Sequence, residues 1–264
     1  MTTSFGTLLS NSFVFAVAHI KPILVGTVIL AALTYGGQVA ISGTVKEGIQ
    51  ENIGSLEQME ELAERIESGD QEAFQEMMMN IEVMGEMASS MKRSMMAGFV
   101  TMIVSLLGYT YFTVLAVTGE DDPKEVASRS LKLIVPMAGL CIWTLIRSFA
   151  WIPFIGPIFA IVLLPRLMFG GVILVKEGTG VMYSVKLSYQ RTSGYWLKIF
   201  GNSLVAFILV GIASSVINIT FSAMSDITLV PMAVSLIVSQ LGMAYIYVFT
   251  VQLADTVMAQ KKAS

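Results

Sequence analysis

Six long apolar stretches constrain this chain more than any other feature. A helix needs about 20 mostly apolar residues to cross a bilayer. Residues 22–41, 95–118, 131–151, 154–175, 199–219 and 229–254 have that length or come close to it. Only 13% of the 264 residues are charged, against about 25% in a soluble domain. The expected fold is therefore all-α: a polytopic bundle of six transmembrane helices. Pro22 suits the first turn of the first span. The third and fourth spans are joined by little more than Ile152-Pro153, which predicts a tight antiparallel hairpin, and Gly156-Pro157 is expected to bend the fourth.

Ahead of the first span, Leu8, Leu9, Phe13, Val14 and Val17 recur near helical spacing. Residues 4–19 read as an N-terminal amphipathic helix on the membrane surface, or as a simple extension of the first span. Residues 1–18 hold no Lys or Arg, so they lack the basic start of a signal peptide and are expected to stay in the mature protein.

Orientation follows from Lys and Arg in short loops. With the N-terminus inside, ten basic residues fall on the inner side (Lys21, Lys124, Arg129, Lys132, Lys176, Lys186, Arg191, Lys198, Lys261, Lys262) and four outside (Lys46, Arg65, Lys92, Arg93). A bacterial-type inner membrane with both termini cytoplasmic is the expected location.

Residues 44–92 are the one sizeable hydrophilic region, and 12 of the 19 acids lie between Glu47 and Glu86. Val45, Ile49, Ile53, Leu56, Met59, Leu62 and Ile66 form one apolar stripe; Ala73, Phe74, Met77, Ile81, Met84, Met87 and Met91 form a second. Ser68-Gly69-Asp70 separates them, and Asp70 suits an N-cap. The pattern predicts an extramembrane helical hairpin inserted between the first two spans. It reads either as a docking arm, for a protein partner or a second copy of the chain, or as two arms that bury their stripes against each other. The methionines Met77, Met78, Met79, Met84, Met87, Met91, Met95 and Met96 are soft enough for Cu(I). Helical spacing with no His or Cys nearby makes them packing residues instead, so no metal site is expected.

Ionisable residues within spans are costly and point to function. Arg166 is the sharpest case: it follows Pro165 near the centre of the fourth span, with no carboxylate at its depth. Gln240, Asn202 nearer the inner end, carbonyls freed by Pro165 or a lipid phosphate could serve it. It either braces the bundle or holds an anionic head group or solute. Arg147 lies near the outer end of the third span and can snorkel. Glu177, eleven residues after Arg166, is too far along the helix for a direct pair. Catalysis finds little support. The chain has one His (His19) and one Cys (Cys141), and no phosphate loop, His-Glu-x-x-His or Cys-x-x-Cys. A net charge of −3 offers no footprint for nucleic acid. No cofactor is expected.

Residues 165–178 read Pro-Arg-Leu-Met-Phe-Gly-Gly-Val-Ile-Leu-Val-Lys-Glu-Gly, and 183–200 read Tyr-Ser-Val-Lys-Leu-Ser-Tyr-Gln-Arg-Thr-Ser-Gly-Tyr-Trp-Leu-Lys-Ile-Phe. With the segment Tyr245 to Asp255, this resembles the YciC-like and glycerophosphodiester-phosphodiesterase membrane-domain superfamily. The positions that carry the likeness are Arg166, Glu177, Ser188, Gly194 and Trp196. The resemblance implies a six-helix membrane module. The catalytic barrel fused to some members is missing here, so no phosphodiesterase activity carries over. The candidate site residues are Arg166, Glu177, Ser188, Arg191 and Trp196, to hold an anion or lipid or to brace the bundle. If 178–195 is helical, Val181, Val185 and Tyr189 face one way and Lys186 and Gln190 nearly the other. That segment reads as a cytoplasmic interfacial helix or as an ordinary basic loop, with Tyr195-Trp196 anchoring the next span.

The expected function is a non-enzymatic membrane module that organises lipid or docks partners through 44–92. The alternative is a small transporter or lipid-handling protein with Arg166 in its site; Pro136 and Pro165 favour it, and the lack of an internal repeat weighs against it. An enzyme ranks third.

Overall fold

Local chemistry sets the helix ends. The computed structural model describes residues 4–37, 61, 64–65, 68, 70, 72, 81–149, 156–224 and 229–263. Helix α1, Phe5–Ala18, starts at Ser4, whose hydroxyl accepts a hydrogen bond from Thr7 N–H at 3.2 Å. His19 leaves helical geometry (φ −107°, ψ 34°) and separates α1 from α2, Ile20–Gly37. The N-terminal segment is thus a helix of its own rather than an extension of the first span. Helix α3 is Ile81–Thr118 and closes on Gly119, at φ +63°. Helix α4, Pro123–Phe149, is capped by Asp122, which takes Lys124 N–H on its carboxylate at 3.0 Å. The next helices are α5 (Gly156–Leu167), α6 (Gly170–Glu177), α7 (Val181–Arg191), α8 (Trp196–Met224) and α9 (Leu229–Ala263). No strand occurs among the described residues.

The protein is all-helical, and five of its described helices are long and apolar enough to cross a membrane. They match the first, second, third, fifth and sixth stretches of the sequence. The fourth stretch is different: it divides into α5 and α6, with a turn at Met168-Phe169. Gly156-Pro157 opens α5 instead of bending it, because a proline in the first turn has no helical hydrogen bond to lose. The link at 150–155 lies outside the described residues.

The chain forms two compact units, Met1–Ala32 with Ser105–Ser264, and Leu33–Val104. In the first, α8 packs on α9 where Gly242 lies under Val210 and Ser214. Helix α1 packs along α9, with Phe5 edge-on to Phe249 and Tyr245 donating its hydroxyl to Leu9 C=O at 3.2 Å. One buried cluster gathers Phe169, Ile173, Ile199, Phe249 and Leu253; another gathers Met137, Leu140, Leu167, Leu174 and Val185. The predicted apolar stripe of α1 is split. Leu8 turns inward with Ser12, while Phe13, Val14 and Val17 stand exposed. His19 sits between Phe15 C=O (3.0 Å) and Gly119 C=O (3.1 Å), tying the α1–α2 corner to the α3–α4 loop.

In the second unit, Ser68 N–H bonds Glu64 C=O and Asp70 N–H bonds Arg65 C=O, which closes a helix end. Asp70 then accepts Glu72 N–H at 3.0 Å, the capping role its sequence position suggests. Most of 44–80, and with it the first apolar stripe, lies outside the described residues. Helix α3 is unbroken for 38 residues, about 57 Å at about 1.5 Å per residue. That is nearly twice a hydrocarbon core of roughly 30 Å.

Large apolar side chains cover the outside: Val135 is 79% exposed, Leu197 72% and Ile219 70%. In water such a surface would associate; in lipid it is an ordinary outer face. Lipid tails are as apolar as Leu, so helices cohere there through close fit rather than burial. Glycines supply the fit at two tyrosines. Gly26 receives the Tyr111 ring, whose hydroxyl donates to Pro22 C=O at 2.9 Å. Gly171 receives Tyr109. A methyl group at either position meets the ring directly. Gly26→Ala and Gly171→Ala are each expected to cost about 1–3 kcal/mol by overpacking. Gly201→Ala, where no atom lies within 4 Å, should be neutral or gain about 0.5–1 kcal/mol. Thermal melts of the detergent-purified protein check the contrast; equal melting of all three would sink the close-fit account.

Candidate functional site

The interruption between α5 and α6 begins with Pro165, which has no N–H and disturbs the turn before it. Met168 N–H still bonds Leu164 C=O at 2.9 Å, and Phe169 turns at φ −82°, ψ −1°. In a continuous helix the Arg166 carbonyl would accept from Gly170 N–H. Here it accepts from the Ser188 hydroxyl at 2.7 Å, and the Thr192 hydroxyl lies 3.2 Å away. Thr192 has one proton and also lies 2.8 Å from Ser188 C=O and 3.3 Å from Tyr189 C=O, so it is shared among three acceptors. Both hydroxyl residues are fully buried, one helical turn apart on α7. On the far side of the break, Gly170 packs under Leu140, and the Tyr109 hydroxyl end lies against Gly171. Neighbouring helices thus replace partners that the broken helix cannot supply.

The Arg166 side chain leaves this braced turn and lies over Tyr189 of α7. Its guanidinium carbon is 4.5 Å from the ring centroid, a cation–π contact. The Arg147 guanidinium carbon, from α4, is 5.7 Å from the same centroid. Arg166 Nε is buried and has no hydrogen-bond partner. Neither arginine forms an ion pair among the described residues. Gln240 does not serve Arg166: its side-chain oxygen lies beside Gly108 of α3. The tyrosine meets Arg166 because Val181, Val185 and Tyr189 share the inward face of α7, as their spacing predicts. Lys186 and Gln190 are exposed.

Glu177, at the end of α6, pairs with Arg191 of α7, through Nη1 to Oε1 and through Nη2 to Oε2 at 3.1 Å. That pair holds the Arg191 guanidinium even more firmly protonated than usual. Lys176 bonds Asp255 of α9 at 2.6 Å. Lys261 donates to the carbonyls of Gln190 (2.9 Å) and Ser193 (3.3 Å), closing the end of α7. Lys198 bonds Gln260 at 3.0 Å. Polar side chains thereby fasten α6, α7, α8 and α9 together at one end.

Of the five residues singled out in the sequence, four fall into two contacts: Ser188 on the Arg166 carbonyl, and Arg191 on Glu177. Trp196 opens α8, stacked on Phe200 with centroids 5.3 Å apart, and its indole N–H is buried without a partner. Tyr189 and Arg147 escaped the sequence reading as site residues. Tyr189 shows there only as part of an apolar stripe, and Arg147 only as a charge near a helix end. A useful signal is the aromatic next to Ser188 on a helix that follows a proline-broken span. The arrangement offers two cations and an aromatic plate, which suits anion binding. Comparisons with protein-family models, with curated proteins and with solved structures find no match to this chain.

The brace at the Arg166 carbonyl is open to test. Ser188→Ala with Thr192→Val leaves a buried carbonyl without a hydroxyl donor. The loss is expected at about 1–3 kcal/mol, read as a lower melting temperature. Thr256→Val, which removes a bond only within α9, should cost less. A double variant that melts like the parent protein would refute the brace.

Proposed function

We propose that this multi-pass membrane protein is a non-enzymatic module that organises or handles lipid by holding a phosphate-bearing head group at Arg166. One observation carries the reading: Arg166 is fixed at an interrupted helix, stacked on Tyr189, with its Nε buried and unpartnered. A buried donor left unmade costs about 1–3 kcal/mol, and a charged one costs more unless something pairs with it. A phosphate oxygen on Nε and another on a terminal nitrogen would make the bidentate contact that a planar guanidinium favours. Broken helices beside such residues are a recurrent way to build a site within a bundle. The resemblance to the YciC-like membrane module, and a bacterial-type inner membrane with cytoplasmic termini, belong to the same proposal.

The test is native mass spectrometry of the protein released gently from its own membrane. Wild type is expected to carry a phosphate-bearing lipid above its bulk abundance, and Arg166→Gln to lose it by about tenfold or more. A wild-type protein that carries only the bulk lipid mixture would remove the reading.

A second reading, docking through 44–92, is favoured by the length of α3 and by its exposed Met91, Met95 and Met96. Deleting 48–88 is expected to leave a folded helical protein that no longer assembles with a partner or with itself. Unchanged assembly on size-exclusion light scattering would end that reading.

A further inference from the structure

We propose that the head group held at Arg166 is a phosphomonoester, a dianion carried at the end of a lipid. The inference rests on the reading above and narrows it to one ligand class. Two guanidiniums, Arg166 and Arg147, approach the same Tyr189 ring, at 4.5 Å and 5.7 Å from its centroid. Neither has an ion-pair partner among the described residues, and Glu177 is engaged by both terminal nitrogens of Arg191. The local charge is therefore about two units out of balance. A phosphodiester head group brings one negative charge, whereas a phosphomonoester brings about 1.5 to 2 near pH 7. A dianion matches both arginines at once, Arg166 from α5 and Arg147 from α4.

The flanking surface points to a lipid rather than a soluble phosphate. Ile142, Leu145 and Ile146 precede Arg147 on α4, and Ile161, Val162 and Leu164 precede Arg166 on α5; all six are exposed. Acyl chains have apolar side chains to lie on next to both charges. An inorganic ion would gain nothing from them.

The experiment uses the purified full chain in detergent. Dioleoyl phosphatidic acid, phosphatidylglycerol and phosphatidylcholine are titrated by native mass spectrometry, with inorganic phosphate as competitor. Phosphatidic acid is expected to bind about tenfold more tightly than phosphatidylglycerol near pH 7.5, and phosphatidylcholine not measurably. Acidification to about pH 5 protonates the second phosphate oxygen, whose ordinary pKa is about 6, and should erase that preference. Arg147→Gln, at an exposed side chain, should bring phosphatidic acid down to the phosphatidylglycerol level while the melting temperature holds. Equal binding of the two anionic lipids, both lost in Arg166→Gln, overturns the phosphomonoester and leaves the head-group site standing. Failure of every anionic lipid to bind overturns both. Displacement of phosphatidic acid by equimolar inorganic phosphate overturns the lipid source. The lipid comparison is made on the wild-type protein, so it does not depend on any variant folding.

Discussion

A helix that stops inside an apolar bundle leaves backbone groups with no water to turn to, and this constraint shapes the region around Arg166. The hydrocarbon interior tolerates irregular backbone only where other protein groups take over its hydrogen bonds. The turn at Met168-Phe169 takes Gly170 out of helical register and frees the Arg166 carbonyl. Ser188 and Thr192 receive it from one side, and Tyr109 packs on Gly171 on the other. Helix α7 is held against the break by those hydroxyls, and so Tyr189 lies beneath the Arg166 guanidinium. The cation–π contact is thus a consequence of how the broken helix is repaired.

The polar clasp beyond the break serves a related end. Glu177 with Arg191, Lys176 with Asp255, and Lys261 with two carbonyls link the ends of four helices. Exposed ion pairs contribute little singly. Here they join the ends of two short helices, α6 of 8 residues and α7 of 11, to their neighbours. The longer helices rely instead on small residues: Gly242 under Val210, Gly26 under Tyr111. Two of their hydroxyls, Thr110 and Ser130, bond the carbonyl one turn back in the same helix.

The membrane class was legible from residue content alone, because an apolar run of the right length has few other folded outcomes. One cap was legible too: Asp70 sits where an N-cap side chain is needed. In the fourth stretch the sequence offered two proline signals, and the interruption follows the second of them. Gly156-Pro157 reads as a bend, but a proline in the first turn loses no helical hydrogen bond, and the chain leaves the helix after Leu167, two residues beyond Pro165. The inward face of α7 was correct in its periodicity and silent about its partner. Arg147 and Arg166 seemed to belong to different depths of the sequence, and the aromatic that joins them looked like core.

What the sequence determined by itself is local: that the chain is helical, that its long helices suit lipid, and which face of α7 turns inward. These follow from hydropathy, spacing and capping over a few residues. The tertiary structure alone decided which groups meet. Ser188 finds Arg166 across 22 residues, Arg191 finds Glu177 across 14, and Lys176 finds Asp255 across 79. No periodicity reports such pairings, because they depend on where a helix breaks and on which neighbour then supplies the missing hydrogen bonds.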